Sequence, residues 1–180
     1  MDSLIRFAEK LDKINSLIIF PLRLAVLLML GLGFWNVTGR YLGVAIGQNL
    51  SSNTLIESQW YLFDFIFLLG LGWTLKNQGH VRVDVLQNRW SKKRKVIVEL
   101  LGTVLLLLPF TLSVMILSLN PAFESWRIGE ISPDAYGLPR YWVKSLIPLG
   151  FLLLSLQGIN ETIRNIIKLK SYKLNKRNIK

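Results

Sequence analysis

Three groups among the apolar residues of this chain could do chemistry: Arg23, Asp64 and the turn around His80. Asp64 interrupts the run Trp60-Tyr61-Leu62-Phe63-Asp64-Phe65-Ile66-Phe67. An ionisable side chain there costs a few kcal/mol (about 2.5–3.5 on insertion scales), so it points to ion handling or to a named partner. Helical spacing puts Glu57, Trp60, Tyr61, Asp64 and Leu68 on one face, with Glu57 near water at its outer end. Arg23, inside an earlier apolar run, is the base available to Asp64. Two readings stay open: an Arg23–Asp64 ion pair, or Arg23 reaching lipid phosphates while Asp64 is protonated or hydrogen-bonded to a neighbouring helix.

Gly79-His80-Val81-Arg82-Val83-Asp84 is the densest polar cluster and holds the single histidine. A zinc site needs more ligands than His80 and Asp84 supply. A turn in which His80, Arg82 and Asp84 hydrogen-bond to another helix or subunit demands less. There is no cysteine, and hence no thiol chemistry. No G-x-S-x-G, P-loop or H-E-x-x-H occurs, so neither an activated nucleophile nor a metal hydrolase is indicated. The chain does not read as an enzyme and implies no cofactor or metal. A last polar group, Trp126, Arg127, Glu130, Asp134 and Arg140, is interleaved with Pro133, Gly137 and Pro139. It forms either a docking surface for a soluble partner or a set of solvated charges on a proline-shaped turn.

The elements that carry these residues are four apolar stretches, 16–38, 57–75, 96–119 and 142–166, each near the ~20 residues a helix needs to cross the bilayer. The expected fold is an all-α membrane protein with four transmembrane helices and short interfacial helices. One membrane domain is expected over residues 1–170, with a basic, disordered tail at 171–180. The formal charge is +11, and its distribution sets orientation. Of 22 Lys and Arg, three precede the first stretch, seven lie from Lys76 to Lys95 and seven follow from Arg164. Positive loops stay inside, which puts both termini and the middle loop in the cytoplasm. Basic runs flanking apolar spans suit anionic lipid head groups, not nucleic acid.

Finer expectations follow from local signals. The first stretch is too long for a signal peptide and lacks a small-x-small cleavage site. Leu4, Phe7, Leu11 and Ile14 suggest a short interfacial helix before it. Val81–Val85 alternates as an extended piece, Leu86 and Trp90 lead an interfacial element, and Ser91 is a candidate helix cap. Pro109 should kink the third span. Residues 120–141 should form a compact outer loop.

The stretch Glu57-Ser58-Gln59-Trp60-Tyr61-Leu62-Phe63-Asp64, with Leu68-Leu69-Gly70 and Lys76 to Asp84, resembles the DctQ-type small membrane subunit of tripartite ATP-independent periplasmic (TRAP) transporters. Glu130 to Arg140, Lys144 to Phe151 and Leu156-Gln157-Gly158 extend the resemblance from the second span to the fourth. It implies a multi-pass subunit of the bacterial inner membrane that scaffolds a large multi-span permease subunit. It also implies work with a periplasmic solute-binding protein for sodium-driven uptake of an organic acid, with substrate and ion sites in the large subunit. A small autonomous channel, or a structural or assembly protein of another complex, would also account for four helices.

Overall fold

A computed structural model describes residues 2–77, 79 and 90–177, and for 2–5, 7, 14 and 173–177 the backbone only. Among them the chain is helical: α1 Asp2–Ile46, α2 Asn53–Lys76, α3 Lys92–Gly102, a π turn Thr103–Leu107, α4 Leu108–Ile128 and α5 Tyr141–Arg177. Four helical segments are long and apolar enough to span a bilayer, the third running from α3 through the π turn into α4. The structure thus has the all-α, four-span architecture read from the sequence. The segment carrying His80, Arg82, Asp84 and the extended piece at Val81–Val85 lies outside the described residues, as does Leu86.

Four local expectations meet the structure differently. No separate interfacial helix precedes the first span, because residues 2–20 contain no glycine or proline to break it and α1 runs through. Ala8 and Leu11 are buried in protein, not laid on lipid. The kink expected at Pro109 appears as the π turn just upstream, where the Leu108 N–H reaches back to the Thr103 carbonyl. Proline has no N–H for the carbonyl four residues earlier and crowds it, and a wider turn relieves both problems. The expected outer loop at 120–141 shrinks to 129–140, because α4 continues through Pro121 to Ile128. Spanning helices tolerate proline when neighbours satisfy the freed carbonyl. Finally, α5 continues past residue 170 to Arg177, since no glycine or proline follows Gly158.

The helix ends are made by the expected local chemistry. Gly47 (φ 71°) and Gly129 (φ 59°) take the left-handed conformation directly after α1 and α4. The Gln48 N–H then reaches the Gly43 carbonyl at 2.9 Å, and the Glu130 N–H reaches that of Ser125 at 3.0 Å. This is the six-to-one closure that satisfies terminal carbonyls. Ser91 caps α3, its hydroxyl accepting from the Arg94 N–H at 3.4 Å.

Contacts divide the chain into two compact units, one of Met1–Leu17, Leu71–Val114 and Phe151–Lys180, the other of Ile18–Gly70 and Met115–Gly150. In the first, the Gly72 Cα lies against the Asn15 side chain and the Leu153 carbonyl. In the second, Gly150 meets the backbone of Leu68: a Cβ there would lie 2.6 Å from the Leu68 carbonyl oxygen. Gly31 has open space around it. Gly150→Ala should therefore destabilise the protein by about 1–3 kcal/mol through overpacking. Gly31→Ala should be neutral or stabilising by up to about 1 kcal/mol through helix propensity. Thermal unfolding in detergent or nanodiscs checks both, and equal effects of the two changes would contradict the packing.

Candidate functional site

The most organised polar site lies in the second unit, where α2 holds the 129–140 loop. The loop folds on itself through an isolated antiparallel bridge between Ile131 and Pro139. Four of its backbone bonds are Ser132 N–H to the Leu138 carbonyl (3.1 Å), its inner turn Gly137 N–H to Asp134 (3.0 Å), Arg140 N–H to Glu130 (2.8 Å) and Lys144 N–H to Arg140 (3.1 Å). Tyr136, at the tip, has φ 59° without being glycine. Such a conformation persists only where surroundings over-determine it.

Those surroundings come from one stripe of α2, Thr54, Glu57 and Tyr61, spaced as helix-face neighbours. The Thr54 hydroxyl donates to the Tyr136 carbonyl at 2.8 Å and the Tyr61 hydroxyl to that of Leu138 at 3.2 Å. Between them Glu57 is only 3% exposed. Its carboxylate accepts from the Ser132 hydroxyl and, at 2.6 Å, from the Leu138 N–H. Arg140 reaches the same Ser132 oxygen at 3.4 Å. Both oxygens of a buried acid are thus engaged by donors fixed in the loop, and hydrogen bonds to an ionised acceptor are the strong ones. Glu57 acts as a clasp and does not sit in water as its position in the sequence suggested.

The docking candidates are divided by this arrangement. Trp126 and Arg127 belong to the end of α4, not to the loop. The Trp126 indole N–H donates to the Ser145 hydroxyl at 2.7 Å, and its ring packs against Tyr141 and Trp142 with centroids 4.4 and 4.9 Å away. Arg127 pairs with Glu124 at 2.9 Å on the exposed surface. Glu130 pairs with Lys144. Its carboxyl is held below the usual range, first by the Lys144 hydrogen bond, against a smaller desolvation cost. Arg140 is half-buried against Ser132, while Asp134 is exposed.

The first unit contains a second polar cluster that the sequence reading did not single out. Asp12 accepts from the Asn160 amide at 2.9 Å, pairs with Arg164, and has the Lys76 ammonium 3.9 Å away. Lys76 also donates to the Asp12 carbonyl and the Ser16 hydroxyl. Nearby, the Asn15 amide donates to Gln157 at 2.8 Å, and Ser155 to Thr111 at 2.9 Å. Gln157, Asn160 and Arg164 at spacings of three and four were the available signal: polar residues on one face of a spanning helix seek partners across helices. Asp12 was masked by its place among the many charges of the N-terminal amphipathic pattern.

Arg23 is exposed and forms no ion pair with Asp64 among the described residues, and Asp64 is half-buried. Among the described residues no group of three or more His, Cys, Asp or Glu could hold a metal ion. Among the described residues the Glu57 and Asp12 arrangements are structural fastenings, carboxylates that accept from donors of another segment.

The family model described as "Tripartite ATP-independent periplasmic transporters, DctQ component" matches residues 29–168. That range takes in α2, the clasped loop and most of α5. No curated protein matches the chain.

The depressed Glu130 acid gives a pH test with a defined sign. A carboxyl whose folded value lies below its unfolded one contributes stability above the unfolded value, and loses it as pH falls through the folded one. Glu130→Gln should be less thermostable than the parent at pH 7. The gap should narrow as the pH drops below the ordinary carboxylate range, about 4.3. A gap that persists or widens in acid would contradict the Glu130–Lys144 fastening.

Proposed function

We propose, for a chain that belongs to the DctQ family of TRAP transporter components, that it is the small membrane subunit holding a large multi-span permease in place. On this reading it serves binding-protein-dependent, sodium-driven uptake of an organic acid across the bacterial inner membrane. Both termini and the 76–95 segment face the cytoplasm, where their Lys and Arg meet anionic head groups. The clasped 129–140 loop faces the periplasm.

The observation that carries the scaffold reading is how the polar side chains are used. Glu57 is saturated by the loop, and Asp12 ties Asn160, Arg164 and Lys76 to α1. Groups spent on fastening helices are not available to bind and release a solute, which fits a subunit whose partner carries the substrate. His80, Arg82 and Asp84 are proposed as a further contact with the permease. The braced loop, with Asp134 exposed and Arg127 on the adjoining helix end, supplies a rigid, charged surface suited to weak, steered docking of a soluble binding protein.

Uptake of a labelled substrate by cells lacking this chain tests the role. Restoring the chain should restore sodium-dependent uptake. Asp134→Lys with Arg127→Glu should lower uptake several-fold at limiting binding protein, with partial recovery when it is in excess and the membrane complex intact. Which acids are imported should not change. A shift in selectivity, or uptake that proceeds without the chain, would overturn the scaffold reading.

A further inference from the structure

Asp64 is the twelfth of the 24 residues of α2, about 16 Å along the helix from its start and far from head groups at either end. The side chain is half-buried, and among the described residues it accepts no hydrogen bond and joins no ion pair. Aspartate is too short to snorkel, and lipid tails offer no donor. Glu57, two turns away, shows what a satisfied acid looks like in this chain, with donors on both oxygens.

The surface around Asp64 is equally unsatisfied. Trp60, Phe63 and Phe67 flank it at helical spacing and are 59%, 55% and 54% exposed. The Phe63 and Phe67 rings stack with centroids 6.0 Å apart and planes 9° from parallel, which makes a flat, preformed aromatic step. Beside it runs a groove of about 430 Å³ with Gly33 and Phe34 of α1 on its far wall. Gly33 has no side chain to fill it. Asp64 stands at the border of this exposed side: Glu57 and Leu68, on its other flank, are buried, as is Leu69. Hydrocarbon would cover the aromatic rings, but it cannot serve the carboxylate between them. A second helix bearing a hydrogen-bond donor covers both.

From this geometry we propose that the Trp60, Phe63, Asp64 and Phe67 face of α2 is an intramembrane docking face for a transmembrane helix of the permease component. That helix presents a donor at the level of Asp64: a hydroxyl, an amide or a basic side chain. Small polar groups across helices are the usual fastening in hydrocarbon, where apolar contact alone gives little preference for protein over lipid. The inference rests on the reading above that this chain works with a permease, and it adds which face does so.

The test co-expresses the chain with its affinity-tagged permease and measures co-purification in nanodiscs, together with the heat stability of the chain purified alone. Asp64→Leu should reduce retention on the permease roughly three- to twentyfold, the range for interhelical polar contacts in membranes. Asp64→Asn should retain most of it. The lone Asp64→Leu chain should be at least as heat-stable as the parent, because an acid without a donor has been removed from an apolar setting. A photoreactive benzoylphenylalanine at Phe63 or Phe67 should cross-link to the permease, while one at Leu117, 74% exposed on α4, should label lipid. Undiminished retention of Asp64→Leu overturns the docking face and leaves the scaffold reading standing. So does loss of stability in the lone variant, or cross-links from Phe63 and Phe67 only to lipid or to a second copy of this chain. If the parent chain itself fails to co-purify, the scaffold reading falls first.

Discussion

A carboxylate buried at the start of a membrane helix has to be supplied with donors. In this protein the supply comes from a loop more than seventy residues further along the chain. Glu57 accepts from the Ser132 hydroxyl and the Leu138 N–H, and leaving such a group unserved costs more than an ordinary hydrogen bond gains. The loop must therefore keep one shape. Its bridge between Ile131 and Pro139, the strained Tyr136 and the Arg140 contact to Ser132 are the means by which it does so. Thr54 and Tyr61, one turn to either side of Glu57, seize carbonyls of the same loop. A stripe of three α2 side chains thus converts a connector into a fixed surface.

The same principle recurs at Asp12, where acceptors and donors from separate helices are matched within the first unit. In both places a polar group that would be costly in hydrocarbon is offset by a specific partner, and that specificity fixes which segments meet. Apolar faces cannot do this, because lipid competes with protein for them on nearly equal terms. Close backbone approaches such as Gly150 on Leu68 then depend on small residues where helices touch. Asp64 departs from the pattern, and the departure is what marks its face as unfinished.

The architecture was legible in the sequence because hydrocarbon imposes length and composition: four apolar runs became four spanning segments. Family resemblance was legible too, carried by the second-span and outer-loop residues that fall inside the matched range. Boundaries were less so. Proline at 109 and 121 signals a break in water, yet in a spanning helix the first produced a π turn and the second no interruption. Amphipathic spacing in residues 4–14 suggests a lipid-facing helix, although a buried face against protein has the same period. The Glu57 clasp was invisible because its partners are a hydroxyl and a backbone N–H, which carry no charge signature. Asp12 was hidden for the opposite reason, standing in a segment crowded with charges.

Hydrogen exchange across residues 129–140 tests the clasp most directly, comparing the parent with Glu57→Gln in nanodiscs. The amide keeps the side chain's volume but loses the charge and one acceptor. The Leu138 amide should then exchange at least about tenfold faster, equivalent to losing one buried hydrogen bond, while amides within α5 from 151 to 166 are unchanged. Equal protection of the loop in the two proteins would contradict the account.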